Sequence, residues 1–205
     1  MIVSFRHDFV FTAIPKTGTH AVRQALRQHL GPEDIEQVAL FVQKKFPIPE
    51  LAKLKHGHIS LLQLQACLPE KQFESLFKFA FVRNPFDRFI SYCAFKTRAN
   101  GEFLARPHQV MAHYLRNPPD GVLFWPQSQF VCDAEGKPLT NYVGRVEKMQ
   151  ESYDEIAMRV GIETTALGTV NASNRGDYRS YYTAPLRDAV AKLYARDLEL
   201  FQYEF

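Results

Sequence analysis

The strongest constraint on the fold of this chain is an apolar run that leads straight into a loop containing lysine, glycine and threonine. Residues 9–13 read Phe-Val-Phe-Thr-Ala, which is typical of a buried strand, and residues 14–19 read Ile-Pro-Lys-Thr-Gly-Thr. A helix is predicted over about 20–30, because Gly31 and Pro32 end it. Such a loop presents backbone N–H groups, hydroxyls and one ammonium group at a helix N-terminus, which suits an oxyanion such as phosphate.

The loop differs from the Walker A pattern for binding nucleotide phosphates. That pattern places the lysine directly after a glycine, whereas Lys16 precedes Gly18 here. The residues by themselves leave two interpretations open. One is a phosphate-binding loop. The other is an ordinary turn between a strand and a helix, with Thr19 as the N-cap and Lys16 in solvent.

The order of the predicted elements favours an α/β fold. Strands are predicted over residues 2–5, 9–14, 77–82 and 142–146. Helices are predicted over residues 60–68, from 85 onward, and over 107–116, 147–160 and 185–202, with further helical stretches between 33 and 55. Alternating strands and helices predict a central parallel sheet covered on both faces, in one domain over residues 1–205. Ligands of such sheets bind at the carboxyl ends of the strands, where Lys16 and Arg83 fall.

A second candidate anion site lies at the end of the strand predicted over 77–82. Arg83 follows that strand, Asn84 is a suitable N-cap, and Pro85 suits the first position of the next helix. Ser91 lies two turns along the helix. The planar fork of donors on Arg83 and the hydroxyl of Ser91 can hold one phosphate from two sides. The alternative is a solvated arginine and a serine on a helix surface.

Together, the two segments resemble the sulfotransferase superfamily, and they occur in the expected order and spacing. The resemblance implies a three-layer αβα fold with a central parallel sheet, like that of the P-loop-containing nucleotide hydrolases. It also implies that Arg83 and Ser91 bind the 3′-phosphate of 3′-phosphoadenosine 5′-phosphosulfate (PAPS). The residues that it assigns to the 5′-phosphosulfate are Pro15, Lys16, Thr17, Gly18, Thr19 and His20.

A third segment, residues 55–60, reads Lys-His-Gly-His-Ile-Ser and narrows the resemblance. It is similar to the His-Gly-His segment of the uronyl 2-O-sulfotransferases, which act on glycosaminoglycans. The resemblance implies that His58 is the base that activates the acceptor hydroxyl and that His56 assists it. The acceptor would then be a saccharide. Taken alone, two histidines at this spacing are also typical of a structural or surface pair.

A weaker similarity concerns residues 171–182, which precede the last predicted helix. This polar and aromatic segment resembles the loop that covers PAPS in the family, and it makes Arg175 and Tyr178 candidates for contact with the nucleotide. The mechanism implied by the resemblance requires no metal, because Lys16 and the helix terminus supply positive charge. The other histidines are scattered along the chain, so no metal site is expected.

Composition gives expectations about the charge of the ligand, membrane association and cellular location. The net charge of +3 is compatible with an anionic ligand, and no nucleic-acid partner is expected from it. No stretch of the sequence has the length of apolar residues that a membrane span needs, and no signal peptide is recognised. Three widely spaced cysteines indicate no disulfide framework, so we expect a cytoplasmic protein.

Two other functions remain open from the sequence. One is a nucleotide kinase or NTPase, which would depend on magnesium and which the missing Walker A order disfavours. The other is a non-catalytic nucleotide- or glycan-binding module on the same fold, which the joint presence of Lys16, His58, Arg83 and Ser91 disfavours. The chain is shorter than the glycosaminoglycan enzymes that it resembles, so the acceptor stays open, as does the oligomeric state.

Overall fold

The structure is a computed structural model that describes residues 1–39, 44–45, 47–168 and 176–205. The chain forms two compact units, Met1–Val82 with Gln127–Asn171 and Arg83–Pro126 with Ala172–Phe205. The expectation of one domain over residues 1–205 stays a prediction.

The first unit is built on a mixed sheet, which has five strands within the described residues. In chain order its strands are β1 (Ile2–Ser4), β2 (Phe9–Thr12), β3 (Ile35–Glu36), β6 (Phe77–Val82) and β7 (Tyr142–Arg145). The strands β4 (Val38–Ala39) and β5 (Lys44–Lys45) form a separate antiparallel pair. The spatial order of the large sheet is β3-β1-β2-β6-β7, with β2, β6 and β7 parallel. The predicted α/β class and parallel centre are confirmed.

One edge of this sheet is antiparallel, which the sequence analysis did not foresee. Strand β1 runs antiparallel to both β2 and β3. The reason for the first pairing is the short turn over residues 5–8, because a connection of this length can join only antiparallel neighbours.

The helices have the following bounds. In chain order they are α1 (Thr19–Arg27), α2 (Pro49–Ala52), α3 (Leu61–Gln65), α4 (Glu70–Ser75), α5 (Pro85–Lys96), α6 (Glu102–Ala105), α7 (Pro107–Arg116), α8 (Ser128–Val131), α9 (Met149–Val160), α10 (Ala184–Leu193) and α11 (Ala195–Phe201). Short 3₁₀ helices lie at Val146–Lys148 and Tyr178–Tyr181. None of the helices in the described part of the chain has the length and apolar character needed to cross a membrane.

The side chains of β2 point alternately to the two faces of the sheet, and helices cover both faces, so the first unit has three layers. Phe9 and Phe11 of β2 belong to an apolar cluster with residues of α1 and α9. Val10, between them, belongs to a second cluster with residues of α2, α3 and α4. Because successive side chains of a strand point to opposite faces, the two clusters cover the two faces of the sheet. The predicted three-layer arrangement is therefore confirmed within this unit.

Two predicted helical regions differ from the structure. Residues 33–55 were expected to contain helical stretches, but strands β3, β4 and β5 lie there, and among the residues of this region that the structure describes only α2 is an α-helix. Strand β3 exists because it pairs with β1, with Ile2 opposite Glu36, and local periodicity carries no information on such a pairing. The single helix predicted over 185–202 is two helices, α10 and α11, which meet at Tyr194. The hydroxyl of Tyr194 donates to the carbonyl oxygen of Phe124 at 3.0 Å and anchors this junction in the second unit.

The start of α5, in the second unit, is as the sequence predicts. The side-chain oxygen of Asn84 accepts a hydrogen bond from the backbone N–H of Phe86 at 3.0 Å, and Pro85 is the first helical residue. Phe86 and Phe89 lie in the buried apolar cluster of this unit, which also contains residues of α6, α7 and α10. The packing of α5 therefore holds the segment that carries Arg83 and Asn84.

The stacked phenylalanines of the sheet predict a large effect of truncation. Phe79 is fully buried, and its ring centroid lies 5.4 Å from that of Phe11 and 5.7 Å from that of Phe9. We expect Phe79→Ala to lower the free energy of unfolding by about 3–5 kcal/mol in urea titrations, because it leaves a cavity. Leu104→Ala, at an exposed site on α6, is the control, with an expected change within about 0.5 kcal/mol. Equal effects of the two substitutions would contradict the assignment of this core.

Candidate active site

A hydrogen bond from a side chain within the loop closes the loop between β2 and α1. The hydroxyl of Thr17, which is fully buried, donates to the carbonyl oxygen of Ile14 at 2.9 Å. The N-cap of α1 is Gly18, in the left-handed conformation, and not Thr19, which is the first helical residue. No side chain caps this helix, and in its first turn the backbone N–H of Ala21 donates to the carbonyl oxygen of Gly18 at 3.1 Å. An anion placed there would meet backbone donors and the positive end of the helix dipole.

Two residues of this loop have positive φ angles. Gly18 and Lys16 both have φ of 69°. Glycine adopts this conformation without strain, whereas a lysine pays about 1–2 kcal/mol for it. The Cβ of any other residue at position 18 would also lie 2.5 Å from the methyl carbon of Met149, the first residue of α9. The strain at half-buried Lys16 is of the kind that proteins keep at functional sites.

His58 is tied to this loop by a hydrogen bond. Its Nδ1 lies 2.7 Å from the carbonyl oxygen of Ala13, the residue that follows β2. A carbonyl oxygen can only accept, so Nδ1 carries the proton, and the neutral ring has its lone pair on Nε2. Burial lowers the pKa of His58 to about 3, against the opposing effect of the Ala13 carbonyl. The ring is therefore neutral at physiological pH, and Nε2 is able to take up a proton.

His56 lies beside His58, and the two are linked through the main chain. The backbone N–H of His58 donates to Nδ1 of His56 at 3.3 Å, and the ring centroids are 6.4 Å apart. The neutral His56 ring therefore carries its own proton on Nε2. Burial, and then the positive charge at the nitrogen of Met1, lower the pKa of His56. Both imidazoles of the predicted pair thus favour the neutral form.

The remaining predicted residues of the first unit lie around the same loop. Pro15 and Thr19 are buried, and His20 is exposed on the first turn of α1. Desolvation lowers the pKa of His20, and the positive charges of Arg23 and Lys16 lower it further. The cationic surroundings of this helix start favour a negatively charged ligand.

Arg83 of the second unit is held by a residue that the sequence analysis missed. Its Nε donates to Oδ2 of Asp87 at 2.7 Å, and a terminal nitrogen of the same guanidinium lies 2.6 Å from that oxygen. Asp87 lies midway between Arg83 and Ser91, and Ser91 is half-buried. Residues four apart share one face of a helix, so Asp87 and Ser91 lie on the same face of α5. The spacing of Arg83 and Asp87 is itself a signal that could have been found in the sequence.

Tyr178 lies next to the Arg-Asn-Pro segment within the same unit. The side-chain nitrogen of Asn84 donates to the hydroxyl of Tyr178 at 3.2 Å and to the carbonyl oxygen of Glu204 at 2.8 Å. Asn84 therefore caps α5 with its oxygen and holds Tyr178 with its nitrogen. Arg175, the other candidate from this segment, lies outside the described residues. Contact of either residue with a nucleotide stays a prediction.

A metal centre was not expected. Across residues 1–39, 44–45, 47–168 and 176–205, no cluster of three or more histidine, cysteine, aspartate or glutamate side chains is arranged to hold a metal ion.

Comparison with known proteins identifies a family for this chain. A family model described as "Sulfotransferase family" matches residues 1–204. Because the match covers nearly the whole chain, the protein belongs to the sulfotransferase family, the enzymes that transfer sulfuryl groups. No curated protein and no solved structure matches the chain.

The surroundings of His58 predict a specific pH dependence. The unfolded chain binds a proton at His58 near pH 6.5, and the folded chain does so only near pH 3. Between these values the unfolded state holds more protons, so stability falls as the pH is lowered through this window. We expect His58→Gln to reduce the slope of the free energy of unfolding against pH by the equivalent of up to one bound proton. The measurement is urea unfolding at a series of pH values from 7 to 4. An unchanged slope, or an NMR titration of the His58 ring near pH 6.5, would contradict the buried neutral ring.

Proposed function

We propose that this sulfotransferase moves the sulfuryl group of PAPS to a hydroxyl group of a carbohydrate acceptor, with His58 as the general base. One observation carries the proposal: the hydrogen bond from Nδ1 of His58 to the carbonyl oxygen of Ala13. It fixes the tautomer that leaves Nε2 as a proton acceptor, and it joins the base to the loop that the family resemblance assigns to the donor.

The proposed step is an in-line displacement at sulfur. PAPS supplies a sulfuryl group on a phosphate leaving group. The acceptor oxygen forms a bond to sulfur, the bond from sulfur to the bridging phosphate oxygen breaks, and the acceptor proton moves to Nε2 of His58. Lys16 stabilises the negative charge that develops on the bridging oxygen, and the N–H groups at the start of α1 hold the 5′-phosphate. The products are a sulfate ester and 3′-phosphoadenosine 5′-phosphate (PAP).

The lowered pKa of His58 has to be reconciled with its role as a base. A general base works best when its pKa lies near the working pH, and a pKa of about 3 is well below that. Negative charge next to an imidazole favours the protonated form and raises its pKa. A phosphosulfate held by the loop over residues 14–19 would supply this charge. The base is thus unprotonated before the donor binds and becomes stronger when the donor is present.

The 3′-phosphate is assigned, through the resemblance, to Arg83 and Ser91. The ion pair with Asp87 orients the guanidinium of Arg83, and the contact between Asn84 and Tyr178 brings an aromatic ring to the same segment. A charged fork plus a hydroxyl suits a phosphate monoester. These groups would distinguish PAPS from nucleotides that lack a 3′-phosphate. A cytoplasmic location and the absence of a nucleic-acid partner stay predictions.

Donor specificity is tested first by calorimetry with PAP, adenosine 5′-phosphate and ATP without magnesium. We expect PAP to bind about tenfold or more tightly than adenosine 5′-phosphate, because charged hydrogen bonds to the 3′-phosphate are lost in the latter. Arg83→Gln should remove this preference, whereas Arg116→Gln, at an exposed site on α7, should keep it. Tight ATP binding with weak PAP binding would overturn the proposal in favour of a nucleotide kinase or NTPase.

Catalytic roles are tested by the release of PAP from PAPS with three acceptors: de-O-sulfated heparin, a neutral glucan and a phenol. We expect turnover with the uronate polysaccharide, and a loss of about 10²–10⁴-fold in His58→Gln with PAP binding intact. Lys16→Gly should also reduce turnover. It should not reduce the free energy of unfolding, because glycine adopts the positive φ at this position without strain. His113→Gln, at an exposed site on α7, is the control for loss of a histidine away from the loop.

The outcomes of this assay separate the alternatives. Near wild-type turnover in His58→Gln would show that the base is assigned wrongly. PAP binding without turnover on any acceptor would favour a non-catalytic binding module. Turnover with the phenol alone would overturn the carbohydrate acceptor and leave the sulfuryl transfer intact.

A further inference from the structure

We propose that Gln37 is a positioning residue for the segment that carries His56 and His58. This inference rests on the proposed function of that segment. Gln37 lies between β3 and β4 and is only 2% exposed. Neither a motif nor the predicted helical pattern of residues 33–55 singles it out in the sequence.

The side-chain amide of Gln37 bridges two parts of the chain. Its nitrogen donates to the carbonyl oxygen of Leu51 at 2.8 Å and to the carbonyl oxygen of His56 at 3.0 Å. Both neighbours can only accept, so the end of the amide that faces them must be the NH₂ group, and both of its protons are used. Gln37 thus fixes the main chain of His56 against the end of α2.

The main chain of Gln37 fixes the middle of the same segment. A Cβ at position 57 would lie 2.4 Å from the carbonyl oxygen of Gln37 and 2.8 Å from Cα of Val38, so only glycine allows this approach. The backbone nitrogen of Met1 donates to the carbonyl oxygens of both Gly57, at 2.6 Å, and Gln37, at 3.1 Å. The segment is therefore packed on the backbone of Gln37 and bonded to its side chain.

These contacts continue to the proposed base. The carbonyl of His56 is held by Gln37, Nδ1 of His56 accepts from the backbone N–H of His58, and Nδ1 of His58 donates to Ala13. The ring of His58 is thus located from two directions, by Gln37 on one side and by the end of β2 on the other. A displacement of about 1 Å in a reacting group can cost about 10²-fold in rate. Loss of the Gln37 amide should therefore reduce turnover without touching the loop over residues 14–19.

The test compares Gln37→Met with Gln63→Met. Methionine has a similar length and adapts to irregular spaces, but it donates no hydrogen bond. Gln63 forms the capping box with Ser60 at the start of α3, so its substitution costs about 1 kcal/mol of helix capping and leaves His56 and His58 in place. The measurements are imidazole NMR titrations, PAP calorimetry, and kcat and KM with PAPS and de-O-sulfated heparin.

For Gln37→Met we expect shifted His56 and His58 signals, and a pKa of His58 that rises toward its ordinary value because water enters. We expect kcat to fall about tenfold or more, with PAP affinity unchanged within about twofold. Gln63→Met should leave the two ring signals and kcat unchanged. Ring signals and kcat like those of the parent protein in folded Gln37→Met would overturn the proposal.

A second variant covers the case in which Gln37→Met does not fold. Gln37→Glu keeps the shape of the side chain, but an ionised carboxylate cannot donate to the carbonyls of Leu51 and His56. Burial raises the pKa of such a carboxyl, so its protonated form regains one donor as the pH falls. Turnover that is low at pH 8 and recovers relative to the parent protein toward pH 6 supports positioning, and a constant ratio overturns it.

The result is distinguishable from a failure of the proposed function. If His58→Gln keeps its activity while Gln37→Met shifts the His58 signals, the base is assigned wrongly but Gln37 still positions the segment. If His58→Gln is inactive while Gln37→Met is normal in both measurements, only the role of Gln37 is wrong.

Discussion

The parallel pairing of β2 with β6 is the constraint on which the first unit depends. Phe11 lies opposite Phe79 in this register and Thr12 lies opposite Ala80, so the two strands end at the same edge of the sheet. Their phenylalanines pack against α1 and α9 on one face, and Val10 packs on the other. With both faces buried, a shift by one residue would exchange the two sets of side chains. The position of the loop after Thr12 is therefore fixed by the packing of the strands that lead up to it.

The loop itself has the opposite character, because local strain is retained there. A lysine with positive φ and a helix start without a capping side chain both reduce stability. Glycine at position 16 would relieve the strain of the positive φ there, but it would also remove a positive charge. A serine or aspartate at position 18 would not supply a cap without new strain, because its Cβ would lie 2.5 Å from the methyl carbon of Met149 and its φ would be positive. The arrangement is typical of a site in which stability is given up for binding.

In the histidine segment, burial determines the charge of the two imidazoles and hydrogen bonding determines their tautomers. Burial keeps both imidazoles neutral by lowering their pKa values, with nearby positive charge acting in the same direction. Hydrogen bonds decide which nitrogen carries the proton: Nδ1 of His58 donates to Ala13, whereas Nδ1 of His56 accepts. Two histidines separated by one glycine thus have opposite tautomers. Only His58 has its unprotonated ring nitrogen at Nε2, the atom that the proposed mechanism requires as proton acceptor.

The sequence by itself determined the strand–loop–helix around Lys16, the N-cap at Asn84 and the sulfotransferase family. The first two depend on residues that are close together in the chain, and the family depends on short motifs that can each be recognised in the sequence. Only the tertiary structure decided the antiparallel edge strands, the tautomers of His56 and His58, and the two hydrogen bonds that the Gln37 amide donates to the carbonyl oxygens of Leu51 and His56. The tautomer of His58 and the hydrogen bonds of Gln37 depend on partners 14 to 45 residues away in the chain, such as Leu51 for Gln37 and Ala13 for His58. The edge strands depend on the pairing of β1 with β2 and β3, and the tautomer of His56 depends on a contact with the backbone of His58 that exists only in the folded segment. Local periodicity and propensity carry no information about such contacts, since burial and pairing arise only when distant segments pack together.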